Sequence, residues 1–344
     1  MSHLKVITYN TWHGLNGKGT LEFGSLEPAG RKQLRHDLQL QELKKKDADI
    51  LFLQEVCPLQ DYSQEFAEYL EMDEVHQLDQ GGIKLAGRGI PFNLSTGLTI
   101  LAKRRFEIKK LSGVKLSGGV GLLHDWFSFQ YSEFRYALFA EIQFPTGLGL
   151  LINTHLHHAP VLDDEISSEL KQLVDTGKVQ QWQSTYFQKA LERGRARRLQ
   201  EGEALLQAIR EIRSKYQVIL LCGDLNDLPH SELLTAFKEQ SFRDVVPSAN
   251  STFLTWNHEK NEENHFWTQK LNPPISNYGS SHLEKLYRKT DHKPRRIDYI
   301  LTAGNVRTMS AELVMNQPQA LPGRREMLIG SDHFGMQAEL ELQF

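Results

Sequence analysis

The chain has 344 residues, with 40 Lys plus Arg against 43 Asp plus Glu, a formal net charge of −3, an apolar fraction of 40% and a charged fraction of 24%. These values fall in the globular range, exclude an intrinsically disordered chain and argue against a uniformly basic nucleic-acid binder. Two cysteines, Cys57 and Cys222, exclude a disulfide scaffold; each lies in or beside an apolar run and reads as a buried thiol.

The N-terminal MSHLKVITYN has neither an apolar h-region nor a small-residue cleavage site, and no apolar run approaches the ~18 residues of a membrane span. A cytoplasmic location without a transmembrane segment is the simplest expectation. Leu4–Asn10, rich in β-branched residues, reads as the first strand. Gln33–Lys46 reads as a helix, with Leu34, Leu38 and Leu43 on one face and lysines at its C-terminal end, where the helix dipole favours them. Ile50–Gln54 is almost continuously apolar, as a strand covered on both faces would be. Asp61–Met72 reads as a helix capped by Asp61. Further strands are expected at Gly97–Ala102, Asp125–Gln130, Tyr136–Phe144 and Gly149–Thr154, the last two joined by a turn at Pro145–Gly147. The Gly-rich stretches Gly81–Gly97 and Gly113–Gly121 lack phosphate-loop spacing and read as hairpin loops.

A long helical pattern from about Ile166 to Lys215 breaks near Gly177 and carries Leu199, Leu205, Leu206, Ile209 and Ile212 on one stripe. Its Arg193, Arg195, Arg197 and Arg198 are flanked by Glu192, Glu201 and Glu203, so they read as a solvated face. Val218–Cys222 is a strand, Ser231–Glu239 a short helix behind a Ser cap, and Ile297–Leu301, Ala311–Met315 and Gln337–Leu342 complete the strands. Hairpins mixed with helix-separated strands predict an α/β sandwich with substantial antiparallel content, unlike a doubly wound sheet. The polar stretch Ser248–Arg296 is long for a loop, and such loops often shape a substrate site. One domain, 1–344, with a substrate-facing insertion at about 248–296 is expected.

Polar residues able to do chemistry stand at the ends of these strands: Tyr9–Asn10, Gln54–Glu55, Asn153–Thr154–His155, Asp224–Leu225–Asn226, Asp298 and Ser331–Asp332–His333. Singly, each has an ordinary alternative, such as a solvated Glu or an Asx turn. As a set they supply oxygen ligands (Asn10, Glu55, Asp224, Asn226, Asp332) and two imidazoles (His155, His333). Hard oxygen ligands suit Mg²⁺ or Mn²⁺, and imidazoles move protons near neutral pH. That combination describes a site for hydrolysing a phosphate ester. His157 and His158 follow His155, but adjacent strand residues point to opposite faces, so a three-histidine metal cluster is disfavoured if the strand continues.

The blocks ITYNTWHG, LFLQEV, LINTHLHH, LLCGDLND, RRIDYILT and GSDHFGMQAEL occur in order from about residue 4 to 342. In this the chain resembles the endonuclease/exonuclease/phosphatase superfamily, which includes type I deoxyribonuclease, abasic-site exonucleases, neutral sphingomyelinases and inositol polyphosphate phosphatases. The resemblance implies a four-layer αββα sandwich of two mixed, largely antiparallel sheets, with a metal site where the sheets' ends meet. It implies Glu55 as principal metal ligand with Asn10 and Asp332 close to the same ion, Asp224 and Asn226 as the pair that orients water and holds the phosphate, and Asp298 as the partner of His333. His155 falls where sphingomyelinases and type I deoxyribonuclease have histidine, which favours the sphingomyelinase-like branch.

The expected reaction is Mg²⁺-dependent in-line attack of water on a phosphodiester, with Mn²⁺ as the alternative cation. His333 is the candidate general base, Asp224 its competitor, and His155 an acid or transition-state stabiliser. A phospholipid or other small phosphoester is favoured as substrate, with transient membrane-surface contact; a DNA or RNA nuclease is the alternative and a non-catalytic interaction domain the remote one. Between Arg288 and Arg296 five basic residues face one acid, a net +4 just before Asp298, which could receive a phosphate-bearing substrate. Trp256, His265, Phe266 and Trp267 in the insertion could contact lipid, stack on bases or simply pack.

Overall fold

The computed structural model describes residues 2–343 apart from 15–28, 86–87, 120, 123–126, 131–133, 146, 161–162, 248–249, 251, 262–278 and 326. His265, Phe266, Trp267 and the first two residues of the predicted 125–130 strand lie outside the described residues. The strands are β1 (Ser2–Asn10), β2 (Ile50–Val56), β3 (Met72–Leu85), β4 (Arg88–Lys103), β5 (Lys109–Ser117), β6 (Gly121–Leu122), β7 (Phe127–Gln130), β8 (Arg135–Phe144), β9 (Gly147–His155), β10 (Val218–Asp224), β11 (Arg243–Asp244), β12 (Asp298–Gly304), β13 (Val306–Val314), β14 (Gln319–Ala320), β15 (Met327–Leu328) and β16 (Gly335–Leu342). The helices are α1 (Ala29–Lys46), α2 (Leu59–Leu70), α3 (Asp164–Asp175), α4 (Gln181–Ile212), α5 (Glu232–Glu239) and α6 (Ser281–His292).

An eight-stranded sheet runs β13-β16-β1-β2-β4-β3-β7-β6, and a six-stranded sheet runs β11-β12-β10-β9-β8-β5. Each contains one parallel pair, β1–β2 and β9–β10, among antiparallel neighbours. A parallel pair needs a long crossover, and α1 supplies it for β1–β2, as α3 and α4 do for β9–β10. Period-two alternation then assigns the faces. Val6, Ile50, Phe52 and Ile100 meet Leu138, Leu151, Leu220 and Ile300 between the sheets, and both cysteines are buried. On the outer face of the large sheet, Ile7, Leu51 and Leu53 pack against Leu43 and Phe66 of α1 and α2. On the outer face of the small sheet, Ile152, Leu221 and Tyr299 pack against Leu205, Ile209 and Phe237 of α4 and α5. The layers are α, β, β, α.

Several local expectations need correction. The N-cap of α2 is Pro58 without a side-chain cap, so Asp61 sits in the first turn instead, where the helix dipole favours an acid. Most of Gly81–Gly97 lies in the β3–β4 hairpin strands, and Gly113 lies inside β5. A Cβ on Gly113 would stand 2.1 Å from the Gln77 side chain, so this glycine permits a close approach and does not make a turn. Strands β3 and β5 carry no continuous apolar run, because β3 reads MDEVHQLDQGGIKL and β5 is a mostly exposed edge strand. Helix α6 lies within the polar insertion; Ser280 caps it, and Leu283, Leu286 and Thr290 are its buried stripe, packed on α3 and α4. No helix among the described residues is long and apolar enough to cross a membrane.

Glu42 on α1 is partly buried, and burial pushes its carboxyl up to about 7 despite Lys45 and Lys46. A carboxyl raised on folding adds stability that is complete below its unfolded value of about 4.5 and is lost as the pH rises through about 7. Glu42→Gln is therefore expected to stabilise the protein by about 1–3 kcal/mol at pH 8 and to change nothing at pH 4. Denaturant unfolding at the two pH values measures the difference, and equal effects at both would refute the assignment.

Candidate active site

The two parallel pairs end at the same edge of the sandwich, and their C-terminal residues face one another there. In the large sheet, Asn10 closes β1 and Glu55 lies near the end of β2, where the pairing with β4 shifts register between Leu53 and Val56. Glu55 has φ 56°, a conformation uncommon for a residue with a Cβ, and such strain tends to collect at functional sites. In the small sheet, Asp224 is in register with His155 on one side and Asp298 on the other, so three strands place these side chains in one row. Gly223 makes that row tight: it has φ 142°, and a Cβ there would meet the Thr154 carbonyl oxygen at 1.9 Å. Asn226, at φ 52°, is turned back by its backbone N–H donating to Asp224 Oδ1 at 2.9 Å.

Across the sheets, Asn10 Nδ2 donates to Glu55 Oε1 and to Asp224 Oδ2, both at 3.2 Å. His155 Nε2 lies 3.4 Å from Asp224 Oδ2, and His155 Nδ1 lies 4.0 Å from Glu55 Oε1. His333 Nδ1 pairs with Asp298 Oδ2 at 2.9 Å, leaving Nε2 3.8 Å from Asp224 Oδ2. Asp332 stands beside it, its Oδ1 3.2 Å from the Ser331 hydroxyl, which donates to the Asn10 carbonyl at 2.6 Å. All eight sequence-predicted residues, Asn10, Glu55, His155, Asp224, Asn226, Asp298, Asp332 and His333, are thus gathered at this edge. Asp224, Asp298 and His333 offer ligand atoms within 4.8 Å of one another.

The electrostatics follow from this crowding. Burial alone would raise Glu55, but the His13 and His155 imidazoles and the His13 N–H, which donates at 3.0 Å, hold its carboxyl well below the usual range. Burial and the Asp298 carboxylate push Asp224 up to about 7. Burial, with the Glu55 charge adding, pushes Asp332 up to about 6. Burial disfavours a charged His333, but Asp298, Asp224 and Asp332 outweigh it and raise the imidazole to about 10.

Other predicted features resolve differently. Gln54 and Asn153 bind the two sheets together: Gln54 Nε2 donates to Asn153 Oδ1 at 2.7 Å, and Asn153 Nδ2 donates to the Leu53 and Thr99 carbonyls. The basic stretch 288–296 is largely neutralised within the fold. Lys289 and Lys293 pair with Asp163, Glu165 and Glu169 of the α3 region, Arg288 with Glu284, Arg295 with Asp291, and the buried Arg296 with Asp244 at 2.7 Å. Arg198 is buried rather than solvated, donating to the Ala159 carbonyl beside Asp227, because α4 turns it inward under the site loops. Trp256 packs: its ring lies 4.8 Å from that of His333.

Sequence reasoning missed residues that support the site from elsewhere. Arg35 and Gln39 of α1 donate to the Thr11 and Gly330 carbonyls, tying the loops that carry Asn10 and Asp332. Thr255 Oγ1 accepts from the N–H groups of Ile297 and Asp298. His158 turns back to Asn226 because β9 ends at His155. The inward-facing arginine of a helix and the Thr-Trp pair 255–256 were visible signals without an address.

An αββα sandwich with carboxylates, amides and two imidazoles converging at one edge defines the class. The Endonuclease/Exonuclease/phosphatase family model matches residues 7–333, and the chain belongs to that family. Among solved structures, an endonuclease/exonuclease/phosphatase family protein from Bacteroides thetaiotaomicron is 15% identical over 100% of this chain and 99% of its own, with TM-score 0.59. TDP2 from D. rerio, solved with a single-strand DNA product, is 15% identical over 99% and 100%, with TM-score 0.54. The human Nocturnin catalytic domain, with bound sulfate, is 15% identical over 99% and 94%, with TM-score 0.54. At these identities the likeness is one of fold. No curated protein sequence matches the chain.

Proposed function

We propose that the chain is a divalent-metal-dependent phosphodiester hydrolase built as one catalytic sandwich, with 248–296 as its substrate-facing insertion. The observation that carries this reading is the convergence of Glu55, Asn10, Asp224, Asp298 and His333 across the two sheets. The donor set fits a hard cation: it is rich in oxygen, burial and neighbouring carboxylates push Asp224 and Asp332 up, and buried Asp298 Oδ1 has no hydrogen-bond partner. Glu55, Asn10 and Asp332 would hold Mg²⁺, and Mn²⁺ suits the same ligands. When bound, the cation would neutralise the phosphate and the charge developing on the leaving oxygen.

The chain's own groups divide the remaining work. Asp224, beside both imidazoles, orients the water and takes its proton; it replaces His333, the base expected from the sequence, because a ring held protonated by its carboxylates cannot accept that proton. Three carboxylates around His333 keep its ring charged, so Nε2 is left to donate to a phosphate oxygen, with Asp298 accepting from Nδ1 and fixing the orientation of the ring. His155 stabilises the transition state or protonates the leaving group, and Asn226 donates to a non-bridging oxygen.

A phospholipid or other small phosphoester, met at a membrane surface in the first case, is the favoured substrate. The internal pairing of 288–296 and the histidine at 155 support it, the latter in keeping with the sphingomyelinase-like branch. A nuclease is the second reading, favoured by the fold shared with TDP2, which was solved with DNA. The test is a purified-enzyme screen of sphingomyelin, phosphoinositides, abasic DNA and plasmid DNA, with Mg²⁺ or EDTA. Mg²⁺-dependent turnover of a small phosphoester is expected. Hydrolysis of DNA alone, with binding that weakens steeply in salt, would overturn the substrate preference, and turnover unaffected by EDTA would overturn the metal.

A further inference from the structure

Asp298–His333 is not the only Asp–His pair bordering Asp224 and Asn226. His158 Nε2 lies 2.9 Å from Asp291 Oδ1, and its Nδ1 lies 3.0 Å from Asn226 Oδ1. The Asn226 amide has one orientation, because its Nδ2 donates to the Leu156 carbonyl at 3.0 Å. Its oxygen must therefore accept from His158, while Asp291 offers only acceptor oxygens. Both ring nitrogens of His158 thus face acceptors, an arrangement that suits an imidazolium. Asp291 is itself anchored. Arg295 donates to its Oδ1 at 3.3 Å, and Trp256 Nε1 donates to its carbonyl at 2.9 Å while the Trp256 ring packs on His333. The last turn of α6 is thereby joined to the reacting edge of the sandwich.

We infer that His158, steered by Asp291, is a positioning residue that holds the Asn226 amide so that its remaining N–H is aimed at the phosphate; this rests on the reading of Asn226 proposed above. The physical reason is that a donor to a developing oxyanion contributes only when it is held in place before reaction. A charged donor on Oδ1 also polarises the amide and strengthens its N–H. Fixation supports transition-state stabilisation more than ground-state binding, so its loss should appear in kcat. The α6 segment would then serve the chemistry as well as the packing, supplying Asp291 to a histidine that lies outside the sheet.

The side chains of asparagine and glutamine separate the two ring positions. Asparagine places an N–H near the Nδ1 position, and glutamine places one near the Nε2 position. His158→Ala and Asp291→Asn are expected to lower kcat on bis-p-nitrophenyl phosphate with Mg²⁺ by roughly tenfold or more with KM within about threefold. His158→Asn should recover most of the loss and His158→Gln should not. In an Asn226→Ala background, His158→Ala should cost nothing further. Equal losses in the two backgrounds, or rescue by glutamine and not asparagine, would overturn the inference. A second readout does not depend on turnover. The Asn226 side-chain amide resonances, identified by their absence in Asn226→Asp, should shift in His158→Ala and return in His158→Asn. Unmoved resonances would overturn it. If the wild type hydrolyses no phosphodiester, the proposed function falls, and the amide resonances still decide this inference.

Discussion

His333→Ala is expected to lower phosphodiester turnover by about 10²–10⁴-fold while leaving a folded protein, because this side chain combines charge, aim and burial at the reacting edge. Its ring is 4% exposed as a residue, locked at Nδ1 by Asp298 at 2.9 Å and walled by Trp256. That geometry leaves one ring atom, Nε2, free to face the substrate, and the surrounding carboxylates keep it charged. Removing the ring removes a donor fixed before reaction, and it also leaves Asp224 and Asp298 facing each other with no imidazolium between them. Single-turnover kinetics on a bis-ester with Mg²⁺, with circular dichroism to verify folding, measures the loss. Turnover within a fewfold of wild type would remove His333 from the chemistry.

Glu55→Gln should be comparably severe for a different reason. Gln keeps the size and one carbonyl oxygen, so the strained backbone at φ 56° and the contact to Asn10 Nδ2 have a near substitute. The charge is what disappears. The carboxylate is held ionised by His13 and His155, as a ligand for a hard dication requires. Losing it is expected to remove several kcal/mol of charge stabilisation, about 10²–10⁴-fold in rate, and to move the Mg²⁺ dependence to higher concentration. A Mg²⁺ titration of both proteins distinguishes the two effects. Wild-type rate at wild-type Mg²⁺ concentration in Glu55→Gln would exclude Glu55 as a ligand.

The strands that carry the site were legible because each is a short apolar run ending in a polar residue, and a run buried on both faces has little freedom in what it encodes. VILLC before Gly223–Asp224 is the clearest case. Strands β3 and β5 were illegible for the converse reason: charged residues and glycines interrupt the apolar pattern of β3, and β5 is a mostly exposed edge. The basic stretch 288–296 shows a second limit. Local charge in the sequence is net +4, yet α3 lies alongside α6 and contributes Asp163, Glu165 and Glu169 from more than a hundred residues away. Composition within a window cannot register a partner outside it.

By itself the sequence determined the class of the sandwich, the order of its motif-bearing strands and the eight residues at their ends, since apolar periodicity and motif spacing are properties of the chain alone. Only the tertiary structure decided which of the polar strand-end residues gather around Asp224 and which bind the sheets to each other. Asn10 and Glu55 reach Asp224 and His155, whereas Gln54 and Asn153, one residue from Glu55 and two from His155, meet each other between the sheets. It likewise decided that His158 returns to Asn226 while the arginines of 288–296 turn to acids of the fold. The physical reason is the same in each case: register and side-chain direction are set by packing across two sheets, and that packing is not written in any one segment.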